Sequence, residues 1–166
     1  MKIAVTYSHP NGNTQLLSEC VLNILGKNNV VYFGEPCEEM LNADRFYIGF
    51  WTDKGTADNI SLEFLSKLNY KEIFLFGSAG FGVDEKYFNK VLTSIKKNID
   101  KSNKIIGEFM CQGKMKMQVK QRYLALKQSD NPPSNINMMI DNFDKALTHP
   151  DKYDYEKLSK IISETK

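Results

Sequence analysis

Several things this chain has little of narrow what it can be. Cysteine is sparse and odd in number: Cys20, Cys37 and Cys111 stand at unrelated spacings, which suits neither a disulfide frame nor a zinc site and points to free thiols in a reducing cytoplasm. No apolar run approaches the length of a membrane span. Met1-Lys2 leads straight into an apolar strand instead of a basic stretch and a signal core, so export is not expected. An excess of one charge is missing too, since the net charge of +2 is too near neutral to argue for nucleic acid. What remains is one folded domain: 166 residues with a 42% hydrophobic fraction are enough for a single core.

The stretch that is richest in information runs Tyr7-Ser8-His9-Pro10-Asn11-Gly12-Asn13-Thr14. Before it, Lys2 to Tyr7 is β-branched and apolar enough for a central parallel strand buried on both faces. After it, Leu16, Leu17, Cys20, Val21, Ile24 and Leu25 recur at the spacing of an amphipathic helix. A loop of this kind can curl backbone N–H groups around an anion while the helix N-terminus adds partial positive charge. No Lys follows Gly12, which excludes the nucleoside-triphosphate loop, and Gly12 stands alone, which excludes the spaced glycines of a dinucleotide fold. Hydroxyls, amides and main-chain N–H suit a small phosphate monoester held by neutral donors. An ordinary strand-to-helix turn, which also needs an N-cap and a Gly, is the alternative.

Four more apolar stretches read as strands: Asn29 to Phe33, Asp44 to Phe50, Lys71 to Gly77 and Lys104 to Cys111. Helical periodicity fills Ala57 to Leu68 and the stretch from Asp84 to Ile95. Strands alternating with helices predict an open, mostly parallel five-stranded sheet of order 2-1-3-4-5 with helices on both faces. Ligands in such sheets bind at the carboxyl ends of the strands, beside the point where strand order reverses. Strand three delivers Trp51, Thr52 and Gly55 there, and strand four delivers Ser78, Gly80 and Phe81. Trp51 and Phe81 could sandwich a flat heterocycle. Alternatively, Trp51 is a packing residue and Phe81 tucks into the core from a turn. His9 has no partner that would make it catalytic, and Cys111 reads as a buried thiol with no second cysteine near it.

The first loop resembles that of the flavodoxin family, which reads hydroxyl-x-x-hydroxyl-Gly-x-Thr after a Tyr- or Phe-ended strand. Here Asn11 replaces the second hydroxyl. The resemblance implies noncovalent FMN, with Ser8, His9, Asn11, Gly12, Asn13 and Thr14 on the phosphate. It sets Trp51, Thr52, Gly55, Ser78, Gly80 and Phe81 against the ring. It implies an electron-transfer protein in which the cofactor carries the reaction and the chain supplies no catalytic residue. General electron carriers of the family are strongly acidic, and this chain is not. Past strand five comes a basic helical stretch with Lys114, Lys116, Lys120, Arg122 and Lys127, then Pro132-Pro133 and a helical extension from about 134 onward. Its Cys111-Gln112-Gly113-Lys114 and Thr148-His149-Pro150-Asp151 steps resemble a flavodoxin-like subgroup associated with bacterial bilirubin reduction, which implies a dedicated reductase as partner. Two other functions stay open on the same fold: an NAD(P)H-dependent flavin or quinone reductase, and a flavin-free accessory protein. The basic stretch could equally be a solvated helix face.

Overall fold

Runs such as Phe46-Tyr47-Ile48 and Phe74-Leu75-Phe76 are apolar at every position because both faces of their sheet are covered. The computed structural model describes residues 1–8, 12–82 and 84–165. Its strands are β1 (Ile3–Tyr7), β2 (Val30–Gly34), β3 (Arg45–Asp53), β4 (Thr56–Ala57), β5 (Glu72–Ala79) and β6 (Lys104–Gln112). The order is β2-β1-β3-β5-β6, parallel throughout, with the short β4 antiparallel to β3. Taken without β4, the five long strands have the expected order 2-1-3-4-5. The extra strand comes from a tight hairpin: Lys54 and Gly55 both have positive φ, 49° and 81°, as a two-residue turn joining twisted strands requires.

One face of the sheet packs Phe46, Ile48, Phe50, Ile73 and Leu75 against Phe64 and Leu65 of α2 (Asn59–Ser66) and Val91, Leu92 and Ile95 of α3 (Glu85–Lys96). The other packs Val5, Tyr47, Phe74, Phe76 and Phe109 against Leu17, Val21 and Leu25 of α1 (Asn13–Leu25) and Leu158 and Ile162 of α6 (Lys152–Glu164). Burying each such Leu, Ile or Phe side chain is worth about 1.5–3 kcal/mol relative to leaving it exposed. Asp58 and Asp84 start α2 and α3 by accepting from the backbone N–H of Ser61 and Tyr87.

The basic stretch after β6 becomes α4 (Met117–Lys127), none of whose residues is buried. It packs on α5 (Ile136–Ala146), with Lys120 paired to Asp144 at 2.5 Å. The extension beyond residue 134 thus holds α5, and α6, which returns to the main core.

Candidate functional site

The carboxyl ends of β3 and β5, the chain after β6 and the first residue of α1 line a cavity of about 800 Å³, within the range that takes a cofactor. Of the residues expected at a site, Asn13, Trp51, Thr52, Gly55, Ser78, Gly80 and Phe81 all line it. The Thr52 hydroxyl donates to the Ser78 carbonyl at 3.0 Å, which ties the end of β3 to the end of β5. Gly55 sits in open space at the hairpin tip. Phe81 is 39% exposed and meets Tyr87 edge-on, with ring centroids 6.4 Å apart. Trp51 is half-buried, and its indole N–H has no acceptor among the described residues.

Next to the cavity stands the N-terminus of α1. Gly12 precedes the helix with φ 98°, and no side chain caps it among the described residues. Thr14 is fully buried and its hydroxyl has no partner there. Asn13 gives one amide N–H to the Lys114 carbonyl at 2.8 Å. His9 and Asn11, expected on the phosphate, lie outside the described residues.

Ser8 behaves differently from the expected phosphate donor. Its hydroxyl donates to Asp58 at 2.6 Å, and the same carboxylate accepts from the Ser61 hydroxyl (2.9 Å), the Ser61 N–H (3.0 Å) and the Trp51 N–H (3.3 Å). Asp58 is 3% exposed. A carboxylate so deep needs several donors to offset its lost hydration, and Ser8 is one of them.

The loop from β6 into α4 and the first turn of α4 supply residues that sequence reasoning did not assign to the ring: Lys114, Met115 and Lys116 from the loop and Val119 from the helix. Met115 lies so close over Gly80 that a Cβ at that position would overlap its side chain. Tyr87, also on the wall, has its phenol pKa pushed up by burial and stays neutral at physiological pH. Lys54, Lys114 and Lys116 are therefore the charges on the described lining, which includes no carboxylate, histidine or thiol.

Cys111 is buried, and that burial, reinforced by Asp154 and Asp151, pushes its thiol well up. It is a packing residue and a poor nucleophile. The neighbouring Thr148-His149-Pro150-Asp151 step is a fastening. Asp151 and Asp154 cap α6 reciprocally, His149 Nδ1 lies 2.6 Å from Asp154, and the His149 carbonyl accepts from the Lys114 N–H at 3.1 Å.

The family model described as flavodoxin domain matches residues 4–163. The chain belongs to the flavodoxin domain family. Two relatives bear the name flavodoxin-like domain-containing protein BilS. The one from Clostridium symbiosum (strain WAL-14163) is 37% identical over 93% of this chain and 90% of its own length. The one from Clostridioides difficile (strain CD3) is 30% identical over 96% and 93%. Among solved structures, the flavodoxin of Streptococcus pneumonia TIGR4 superimposes with a TM-score of 0.60 at 15% identity, covering 99% of this chain and 97% of that one. Oxidised flavodoxin 1 from Bacillus cereus does so with 0.55 at 14% identity, over the same shares. These two share the fold.

FMN is the cofactor of this family, and the residues present fit it. A helix N-terminus that no side chain caps, and a buried Thr14 hydroxyl with no partner, both among the described residues, suit a phosphate. The cavity beside it carries Trp51 from the end of β3 and Phe81 from the loop after β5, aromatic side chains that suit a flat heterocycle. No helix among the described residues is long and apolar enough to cross a membrane.

Proposed function

We propose that this protein is an FMN-binding electron carrier that acts in the cytoplasm and serves a dedicated redox partner. The observation that carries the reading is the single cavity in which three loops and the α1 N-terminus converge, with no carboxylate, histidine or thiol on the described lining. When bound, FMN supplies the redox chemistry. The chain's part is to bind and orient. Thr14 and the first N–H groups of α1 hold the phosphate, together with the segment carrying His9, Asn11 and Gly12. Trp51 and Phe81 flank the ring, Thr52 and Ser78 brace the two loops, and Gly55 lets its peptide turn at the hairpin tip. Met115 and Val119 keep water off one side.

The partner reading rests on α4. From Lys114 to Lys127 there are five basic residues and no acidic one, and the stretch begins at the cavity wall. Met117, Leu124 and Leu126 are exposed along it. Positive charge mixed with exposed apolar side chains at the mouth of a redox site fits an acidic protein surface docking there. The sequence resemblance makes a bilirubin reductase the partner to try. The test combines a visible absorption spectrum of the purified chain with reductase kinetics. A bound-flavin spectrum, and a delivery rate that falls with salt and drops in an Arg122→Glu, Lys127→Glu variant, both residues exposed and off the cavity lining, while the spectrum stays unchanged, support it. A protein that takes up no flavin would leave the flavin-free accessory reading in its place. Rapid NADH or NADPH oxidation by the chain alone would favour the reductase reading.

A further inference from the structure

The Gly80 carbonyl, on the loop after β5, is held by two buried side-chain amides from elsewhere in the fold. Asn142 of α5 donates through Nδ2 at 2.9 Å, and Gln112 at the end of β6 donates through Nε2 at 3.3 Å. Gln112 also donates to the Asn142 Oδ1 at 3.0 Å, so the two amides fix each other's orientation. Asn142 is 8% exposed and Gln112 5%. One residue earlier, the Ala79 carbonyl accepts from the Gly113 N–H at 3.0 Å. Both carbonyls of this turn are thus committed to protein donors on the β6 and α5 side.

That commitment decides what the other side of the peptide does. The Gly80–Phe81 bond is trans, and in a trans peptide the carbonyl and the following N–H point in opposite directions. With the Gly80 oxygen fixed on Asn142 and Gln112, the Phe81 N–H is turned away from them. It has no acceptor among the described residues. Gly80 and Phe81 both line the cavity.

We propose that Asn142 and Gln112 are positioning residues that clamp the Gly80–Phe81 peptide so that its N–H is presented to an acceptor atom on the ring of the bound cofactor. The proposal rests on the FMN reading above. It gives α5 a role in the site although α5 does not line the cavity: the helix carries the amide that orients the donor. A carbonyl with both acceptor positions filled does not flip easily, because each bond lost would leave a buried polar group unpaired.

The experiment uses the full chain with Asn142→Leu, and with Asn142→Asp and Gln112→Glu, which keep the side-chain shape and remove the N–H donors. FMN and riboflavin affinities are measured by flavin fluorescence, together with the visible spectrum of bound flavin. Each variant should weaken FMN and riboflavin alike by about tenfold, as expected for one such hydrogen bond, and shift the flavin absorption band. The parallel loss places the effect at the ring end. A variant of native circular dichroism that binds both ligands within about twofold of the parent overturns the clamp, as does a loss confined to FMN. Should the parent bind neither flavin, the cofactor reading itself falls. The clamp is then judged on the chain alone by amide hydrogen exchange: faster exchange confined to residues 79–82 in the variants supports it, and unchanged exchange refutes it.

Discussion

The Ser8 hydroxyl at the end of β1 and the Asp58 carboxylate at the start of α2 are joined by a buried hydrogen bond of 2.6 Å. It links the residue after β1 to the start of α2, and through the Trp51 N–H on the same carboxylate to the end of β3, so the two sides of the candidate site are held in register by one carboxylate. Ser8→Ala should cost about 1.5–3 kcal/mol of unfolding free energy, the range for a hydrogen bond to a charged group. Asp58→Ala should cost more, because it leaves donors from Ser8, Ser61 and Trp51 unpaired. Urea unfolding of the two variants checks the order.

Thr14 is the sharper probe of the phosphate. A Cβ at Gly49 would meet the Thr14 methyl at 2.9 Å, so that methyl packs closely on β3. Thr14→Val keeps the packing and removes the hydroxyl. FMN should weaken by about tenfold, the scale of one hydrogen bond to a charged group, while riboflavin is unaffected. Equal losses for the two ligands in a flavin titration would take Thr14 off the phosphate.

The three lysines on the cavity wall predict the direction of the redox tuning. Positive charge near a ring that gains electrons favours the reduced form. Replacing Lys54, Lys114 and Lys116 together with Gln should lower the midpoint potential, and added salt should narrow the difference from the parent. Potentiometric titration reads both.

At the opposite end of the strands, Glu72 accepts from Arg45 at 2.6–2.7 Å. The Arg45 hydrogen bond holds the Glu72 carboxyl below the usual carboxylate range, against a smaller opposing effect of burial. The folded-state pKa is thus lower than the unfolded one. The pair therefore stabilises the fold above the unfolded value, and that contribution is lost as pH falls through the folded value. Glu72→Gln should flatten the acid limb of a stability-against-pH curve. FMN affinity near neutrality should not change.

The long strands were legible because both-face burial leaves an unbroken apolar run, as in Phe46 to Phe50. Strand β4 was not, since two residues carry no periodicity and only the Lys54-Gly55 turn betrays the hairpin. Trp51 and Phe81 could be placed at the site because topology sends every parallel strand's carboxyl end to the same edge. That rule also covers the loop after β6, where Lys114, Met115 and Lys116 reach the cavity. The commitment of Ser8 to Asp58 had no local signal: the residues lie 50 positions apart. Neither did the link from Asn142 to Gly80, which spans 62.

Trp51 is the single tryptophan in the chain, so its emission reports on one wall of the cavity alone. Titrating the flavin-free protein with FMN while following flavin and tryptophan fluorescence together is the decisive measurement. Both signals should fall in parallel and level off at about one FMN per chain, and Trp51→Ala should weaken binding by about 1–3 kcal/mol, the scale of an aromatic stacking contact. Flavin emission that stays that of free FMN, with Trp51 emission unchanged at a large excess of ligand, would contradict the assignment of this cavity to FMN.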